Sequence, residues 1–345
     1  MMEKRPDERA LPAAPEQIRL HKPVGRAGLT VFAFLICVSI LIAAFAVSQV
    51  WKRGKQNRIE QPARTNEQTT ESSPEQTSPE PSEPPAESAP ENATAILIRT
   101  YSDVGIRNET TYVLPEGSIE TGLFRDALTT ETDPLVLILH THPEQAYLTD
   151  EADHIPQPLG NSTYSTDPAR NVVAVGEVLC RTLCEKGIPA VHAVEDTSSG
   201  SSLGAYAHAA ELIAAWRERY PTIRLIIDVQ RDAILDTEGN YIRPVAEVKD
   251  GEEKIAQIMA IVGSDAEGSD YSDWEKNYAL AAVLREGLNR EGRILMRSIS
   301  VRRSSYNQEL APYALLLEIG SGANTVEEAC RAAEEVGSAL AKLLL

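Results

Sequence analysis

The sequence predicts an α/β fold: a single doubly wound, mainly parallel sheet with helices on both faces. Two observations predict it. Short apolar stretches alternate along the chain with longer segments of helical spacing, as in strands joined by crossover helices. In addition, the apolar parts of residues 135–147, 225–233 and 313–321 are nearly continuous and run directly into polar groups. Strands buried on both faces have this composition, and ligands bind at their carboxyl ends.

Each element follows from its local pattern. The predicted strands are residues 96–99, 135–139, 188–194, 225–228, 258–262 and 315–318. The predicted helices are residues 172–186, 203–219, 274–289 and 326–344. Asn171 is suited to begin the first of these helices, and Gly187 is suited to end it, because glycine tolerates the left-handed conformation of a helix cap.

The region before this domain is not globular. Residues 27–50 form an apolar run long enough, at about 20 residues or more, to cross a bilayer as a helix. We expect an uncleaved signal anchor behind a cytoplasmic tail, residues 1–26; cleavage after the Ala-Phe-Ala at residues 44–46 is the alternative. Residues 51–94 are rich in Pro, Glu, Ser and Thr and are predicted to be a disordered acidic tether, which leaves residues 95–345 as the folded domain.

The charge of the chain excludes one class of partner. The formal net charge is −18, with 51 acidic and 33 basic residues. A nucleic-acid-binding surface needs a basic footprint, so no nucleic-acid partner is expected. The four cysteines form no disulfide framework and do not identify the compartment.

Two histidines lie at the end of one predicted strand. His140 and His142 are two residues apart and project to the same face if the backbone stays extended. Imidazole nitrogen is a favoured zinc ligand, so the pair indicates a metal site. A pair of hydrogen-bonding loop histidines is the alternative.

Glu318 ends another predicted strand, after the apolar run Ala-Leu-Leu-Leu. A carboxylate in this position is costly unless it is paired, bound to metal or open to a cleft. Beside a zinc-bound water it could act as a general base with a raised pKa. A salt-bridged structural glutamate is the alternative.

Several longer strings carry a family resemblance. LILHTHPEQAY, NVVAVGEVL, IIDVQRDA and RSSYNQELAPYALLLEIGSGANTVEEACRAA occur in this order. Together they resemble the stage II sporulation protein P family, membrane-anchored peptidoglycan hydrolases of endospore-forming bacteria. The resemblance implies the fold of zinc-dependent cell-wall amidases, with N-acetylmuramoyl-L-alanine amidase activity and an endopeptidase activity. It also implies a domain outside the cytoplasmic membrane, in the intermembrane space of a sporulating cell, with peptidoglycan and the stage II sporulation proteins D and M as partners.

The resemblance and the strand-end positions together give a set of expected site residues. These are Glu318 as the catalytic acid/base, His140, His142 and Glu144 as zinc ligands, and Arg231, Asp232 and Asn307 as substrate-binding residues.

The chain departs from the family pattern at two polar positions. Where the family usually reads Asp-X-His-Arg-Asp, this chain has Gln230 in place of the histidine, and Gln145 stands where the family has a glutamate. An amide oxygen is a far poorer zinc donor than imidazole nitrogen. Zinc binding therefore requires a substitute such as His154, His192 or His208.

Three hypotheses follow. The first is a zinc amidase acting on peptidoglycan. The second is a catalytically impaired paralogue that binds peptidoglycan or partner proteins. The third is an unrelated membrane-tethered receptor for a small ligand.

Overall fold

The computed structural model describes residues 94–102, 104–115, 122–128, 133–155, 163–197, 202–246, 253–290 and 292–345. The predicted tail, membrane span and nearly all of the tether, residues 1–93, lie outside this part of the chain. Among the helices within it, none has the length and apolar character needed to cross a membrane.

Ten strands are present in the described residues. They are β1 (Thr94–Arg99), β2 (Ile106–Asn108), β3 (Val136–Leu139), β4 (His154–Ile155), β5 (Ala190–His192), β6 (Leu225–Asp232), β7 (Tyr241–Pro244), β8 (Ile258–Val262), β9 (Met296–Val301) and β10 (Tyr313–Ser321).

Five α-helices are present in the same residues. They are α1 (Arg125–Leu128), α2 (Val172–Glu185), α3 (Ser202–Arg219), α4 (Trp274–Leu288) and α5 (Val326–Leu344), and a short 3-10 helix covers Gln308–Leu310. The predicted caps of α2 are confirmed. Asn171 accepts a hydrogen bond from the amide of Val173, and Gly187 follows the helix at φ 87°.

The main sheet has the strand order β2-β9-β8-β10-β6-β3-β5 within the described residues. Five of its six pairings are parallel, as predicted, but β8 runs antiparallel to β10, so the sheet is mixed. The cause lies in residues 302–312, which join β9 to β10 with a 3-10 turn in place of the crossover helix that a parallel return needs. Strands β3, β5, β6 and β10 point the same way, and their carboxyl ends share one edge.

The prediction of a single sheet is wrong. β1 pairs with β4 and β7 in a separate three-stranded sheet. β1 was expected to begin the main sheet because its sequence is apolar, but that pattern does not specify which strand it joins.

Helices cover both faces of the main sheet, as the doubly wound prediction requires. Helix α3 packs on one face, where Leu137 and Ile226 contact Ile213 and other apolar residues. Helices α2, α4 and α5 pack on the other face, in a larger cluster that includes Ile138 and Ile227. The even-numbered residues of β6 therefore face α3, and the odd-numbered residues face α2 and α5.

Candidate functional site

Three polar side chains share the α3 face of the sheet near the carboxyl ends of the strands. Asp228 and Gln230 alternate along β6, and Glu318 on β10 is the direct neighbour of Gln230. Since side chains two residues apart project to the same face, these groups lie side by side. Nε2 of Gln230 donates a hydrogen bond to Oδ2 of Asp228 at 2.8 Å. Gln230 and Glu318 are thus adjacent, as polar groups at the carboxyl ends of neighbouring parallel strands are expected to be.

His142 joins this face through Tyr206 of α3. The two rings meet edge to face with their centroids 5.7 Å apart. The hydroxyl of Tyr206 accepts a longer hydrogen bond from Gln230, at 3.4 Å. Asp228 holds the turn after β3, because it accepts hydrogen bonds from the amide and the hydroxyl of Thr141. We call His142, Tyr206, Asp228, Gln230 and Glu318 the acidic face.

Glu318 has an unusual protonation state. Burial, together with the negative charge of Asp232, raises the pKa of Glu318 to about 8, although Arg297 and Arg302 oppose the shift. Asp232 itself is paired with Arg297. Oε2 of Glu318 is buried, and a hydrogen bond between the Glu318 and Asp232 carboxyl groups also raises the pKa of Glu318. The group is therefore mostly a neutral acid at neutral pH.

Glu318 should make stability depend on pH. Its pKa is about 8 when folded and ordinarily 4.5, so between these values the folded state keeps a proton that the unfolded state releases. The stabilising contribution is complete below pH 4.5 and is lost as pH rises towards 8. In denaturant titrations, the free energy of unfolding of the wild type should fall relative to Glu318→Gln over this interval. A difference between the two that stays constant with pH would contradict the raised pKa.

His140 does not lie on the acidic face. The strand ends at Leu139, and a bend and a turn follow, so the extended backbone that would align His140 with His142 does not continue. Nδ1 of His140 donates to the carbonyl oxygen of Val229 at 2.8 Å, which leaves Nε2 to accept from Nε2 of His192 at 2.8 Å. Burial, followed by the charge of His192, lowers the pKa of His140 to about 3.

Helix α2 closes over the two imidazoles. Nδ1 of His192 is 3.2 Å from a carboxylate oxygen of Glu177, and Gly176 lies directly against both rings. We call His140, His192, Glu177 and Gly176 the histidine pair site. Through His140, this site hydrogen-bonds the carbonyl oxygen of Val229, the residue between Asp228 and Gln230. It lies on the opposite side of the sheet from the acidic face.

Gly176→Ala should destabilise the protein by about 1–3 kcal/mol, because the added methyl overpacks the histidine pair site. The new Cβ would lie 2.6 Å from Nε2 of His140 and 2.7 Å from Nε2 of His192. Gly287→Ala is the matched control: it is also a helix glycine, but its Cβ would meet nothing closer than 3.8 Å. The free energy of unfolding of this control should exceed that of the wild type by about 0.5–1 kcal/mol. Equal free energies of unfolding for the two variants would contradict the packing described.

Arg231, an expected substrate-binding residue, points away from the acidic face and is held by the protein. Its Nε donates to the carbonyl oxygen of Ala146, and its terminal nitrogens bond to the carbonyls of Thr163 and Asp232. Its backbone amide donates to Oε1 of Gln145 at 2.9 Å. The guanidinium is buried and has a structural role in joining β6 to the loop after β3.

The remaining expected residues lie in different places. Asp232 neighbours Glu318, and Asn307 donates to the carbonyl oxygen of Tyr206 at 2.8 Å. Glu144 is half-buried in the turn after β3, where its carbonyl accepts from the amide of Ser165. Of the possible substitute ligands, His154 is in the small sheet and His208 is exposed on α3.

The donors on the acidic face do not fit a zinc ion. A catalytic zinc site needs three protein ligands such as His, Glu or Asp. Within the described residues there is no group of three or more His, Cys, Asp or Glu side chains placed to hold a metal. Gln230 and Gln145 stand where the family has a histidine and a glutamate, and both amides are occupied by hydrogen bonds to the protein.

Sequence reasoning missed several members of the site. Asp228 was detectable, because it alternates with Gln230 at the end of an apolar strand. Tyr206 carries no such signal, because it lies on a helix of weak amphipathicity. Its contribution depends on how distant segments pack. His192 was named as a possible substitute ligand, and its contact with His140 was not foreseen.

The fold and the site define an α/β protein with an acidic, aromatic site at the carboxyl ends of its parallel strands. A model of the stage II sporulation protein P (SpoIIP) family matches residues 42–341. The chain belongs to this family. It is 26% identical to the stage II sporulation protein P of Bacillus subtilis (strain 168) over 232 aligned residues. The alignment covers 62% of this chain and 52% of that protein. The chain thus matches about half the length of this curated relative.

Solved structures of amidases are similar at a lower level. An N-acetylmuramoyl-L-alanine amidase of Nostoc punctiforme is 14% identical, with a TM-score of 0.32 and coverage of 61% of this chain and 94% of that one. The CwlD amidase of Clostridioides difficile, solved with the GerS lipoprotein, is 14% identical, with a TM-score of 0.35 and coverage of 60% and 94%.

Proposed function

We propose that this protein binds peptidoglycan in the sporulating cell through its acidic face, without zinc-dependent cleavage. One observation carries the proposal: Gln230 stands where the family has a histidine and Gln145 where it has a glutamate, and both amides are engaged by neighbouring protein groups. Family membership supports the sporulation context and the cell-wall target. Residues 27–50 would anchor the chain in the cell membrane, with the described domain in the intermembrane space. Stage II sporulation proteins D and M are the proposed protein partners.

A second candidate is a peptidoglycan hydrolase, and Glu318 favours it. A buried carboxyl with a pKa raised to about 8 is neutral at physiological pH and can donate a proton to a leaving group. Water would attack the amide carbonyl and lose a proton to Asp232, which is beside Glu318, while Glu318 protonates the leaving amine. The bond cut would be the amide between the muramoyl group and L-alanine, as the family resemblance implies. In this candidate Glu318 is the catalytic residue.

One experiment separates the two candidates. Full-length protein in mild detergent is mixed with purified sacculi, with and without added zinc. Both sedimentation of the protein and release of new amino termini are measured. We expect sedimentation with the sacculi and no release under either condition. Failure to sediment would refute the binding proposal, whereas release that Glu318→Gln abolishes would establish the hydrolase.

A further inference from the structure

We propose that the histidine pair site binds a copper(II) ion between Nε2 of His140 and Nε2 of His192. The site lies across the main sheet from the acidic face and uses neither Gln145 nor Gln230, so it is separate from the positions compared above with family zinc ligands. It goes beyond the proposed function, because peptidoglycan binding through the acidic face does not require it.

The first observation is the convergence of two ring nitrogens. Nε2 of His140 is 2.8 Å from Nε2 of His192, and the ring planes are inclined at 77°. An ion about 2.0 Å from each nitrogen, a distance typical of metal–imidazole bonds, would bond to them at an angle of about 90°. This angle suits the tetragonal geometry of copper(II), whereas zinc prefers the wider tetrahedral angle. Copper(II) is also the most strongly bound of the divalent first-row ions at nitrogen donors.

The second observation is the orientation of each ring by its other nitrogen. Nδ1 of His140 donates to the carbonyl oxygen of Val229 at 2.8 Å, and Nδ1 of His192 is 3.2 Å from the carboxylate of Glu177. Imidazoles that bind metals are usually held in this way, because a carbonyl or carboxylate fixes the tautomer and leaves the second nitrogen to coordinate. Both members of the pair have this arrangement.

The number of protons on the two rings shows why a cation would complete the site. A carbonyl and an ionised carboxylate only accept hydrogen bonds, so each Nδ1 needs the single proton of its neutral ring. The two Nε2 atoms then present lone pairs to each other. Both side chains are buried, which disfavours a second proton on either ring. Moving the proton of His192 to Nε2 leaves its Nδ1 without one beside Glu177, whereas a metal ion between the Nε2 atoms satisfies every contact.

The third observation is the charge and accessibility of the site. His192 lies on β5, which is an edge strand of the main sheet in the described residues, so an ion can approach from that edge. The carboxylates of Glu177 and Glu195 lie close enough to His192 to favour a positive charge there. Gly176 keeps the flank of the pair free of a side chain, since a Cβ would lie 2.6 Å from Nε2 of His140. Water entering at the edge would supply the remaining ligands.

The test uses full-length protein in mild detergent, dialysed against a glycine buffer that contains copper(II). The wild type should retain about one ion per chain, and electron paramagnetic resonance should show coupling of the copper to imidazole nitrogen. His192→Asn keeps an amide group near the position of Nδ1 but has no Nε2, so it should lose both the ion and the coupling.

A second variant avoids any change to the buried rings. Glu177→Gln removes the carboxylate that orients His192 and should weaken copper(II) binding about tenfold or more. Glu185→Gln is the matched control, because Glu185 is on the same helix and its side chain is 68% exposed, compared with 67% for Glu177. This control should bind copper(II) as the wild type does.

Three results would overturn the site. The first is a wild type that retains no copper(II). The second is equal retention by the wild type and His192→Asn, since the ion would then be adventitious. The third is loss of the ion in His142→Asn together with its retention in His192→Asn, which would place it on the acidic face. Loss in His192→Asn, with weaker binding in Glu177→Gln and an unchanged Glu185→Gln, would support the site.

Discussion

Replacing Arg243 with methionine should lower the free energy of unfolding by about 3–5 kcal/mol, because it leaves a buried carboxylate without its cation. Arg243 on β7 and Glu328 in the first turn of α5 are both 1% exposed. Nε and a terminal nitrogen of the guanidinium donate to the two carboxylate oxygens at 3.0 and 2.7 Å. Chemical denaturation, followed by circular dichroism, measures the loss.

Two further variants make this result specific. Arg293→Met removes the pair with Glu335, whose side chains are 31% and 40% exposed, and should cost no more than about 1 kcal/mol. Adding Glu328→Gln to Arg243→Met should recover part of the loss, because no charge then remains buried. A loss in Arg243→Met that matches the surface control would show that the buried pair contributes little.

Substituting Gln145→Glu together with Gln230→His should convert the protein from one that does not retain zinc to one that binds about one ion per chain. Gln230 is part of the acidic face, where it donates hydrogen bonds to Asp228 and to Tyr206, whose ring contacts His142. Oε1 of Gln145 accepts a hydrogen bond from the backbone amide of Arg231, the residue after Gln230. A carboxylate at position 145 could keep that hydrogen bond, and the three donors that a catalytic zinc site needs would then be present.

Elemental analysis after dialysis against buffer measures the zinc. The single variant Gln230→His should bind more weakly than the double variant, since it supplies one ligand fewer. Stoichiometric zinc in the wild-type protein would contradict the assignment of the acidic face as a site without metal. No gain of zinc in the double variant would show that His142 is not placed to act as the third ligand.

The sequence was sufficient to predict the elements whose apolar pattern is continuous. Strand β8 and helix α5 have the predicted bounds. Strands β6 and β10 were also predicted, but both are longer than the apolar stretches that predicted them. β6 continues through Gln230 because β10 still pairs with it there. Tertiary pairing, which local pattern does not encode, decides such ends.

Other features required the three-dimensional structure. Strand β9 escaped prediction because Arg297, Ser298 and Ser300 interrupt its apolar pattern, although all three are buried. For the site, the carboxyl ends of two predicted parallel strands correctly grouped Gln230 with Glu318. The separation of His140 from His142 could not be foreseen, because it depends on a bend immediately after β3. The contact of His142 with Tyr206 was unforeseeable for the same reason: helix α3 and the turn after β3 are adjacent only once the chain has folded.

The position of β10 has a consequence for how the molecule is made. This strand is almost the last element of the chain, yet it lies at the centre of the main sheet, between β6 and β8. Until residues 313–321 have left the ribosome, those two strands each expose an unpaired edge, which is a surface prone to aggregation. Folding of the domain therefore has to wait until β10 has been synthesised, and a truncation before Tyr313 would leave two separate half-sheets with no strand to join them.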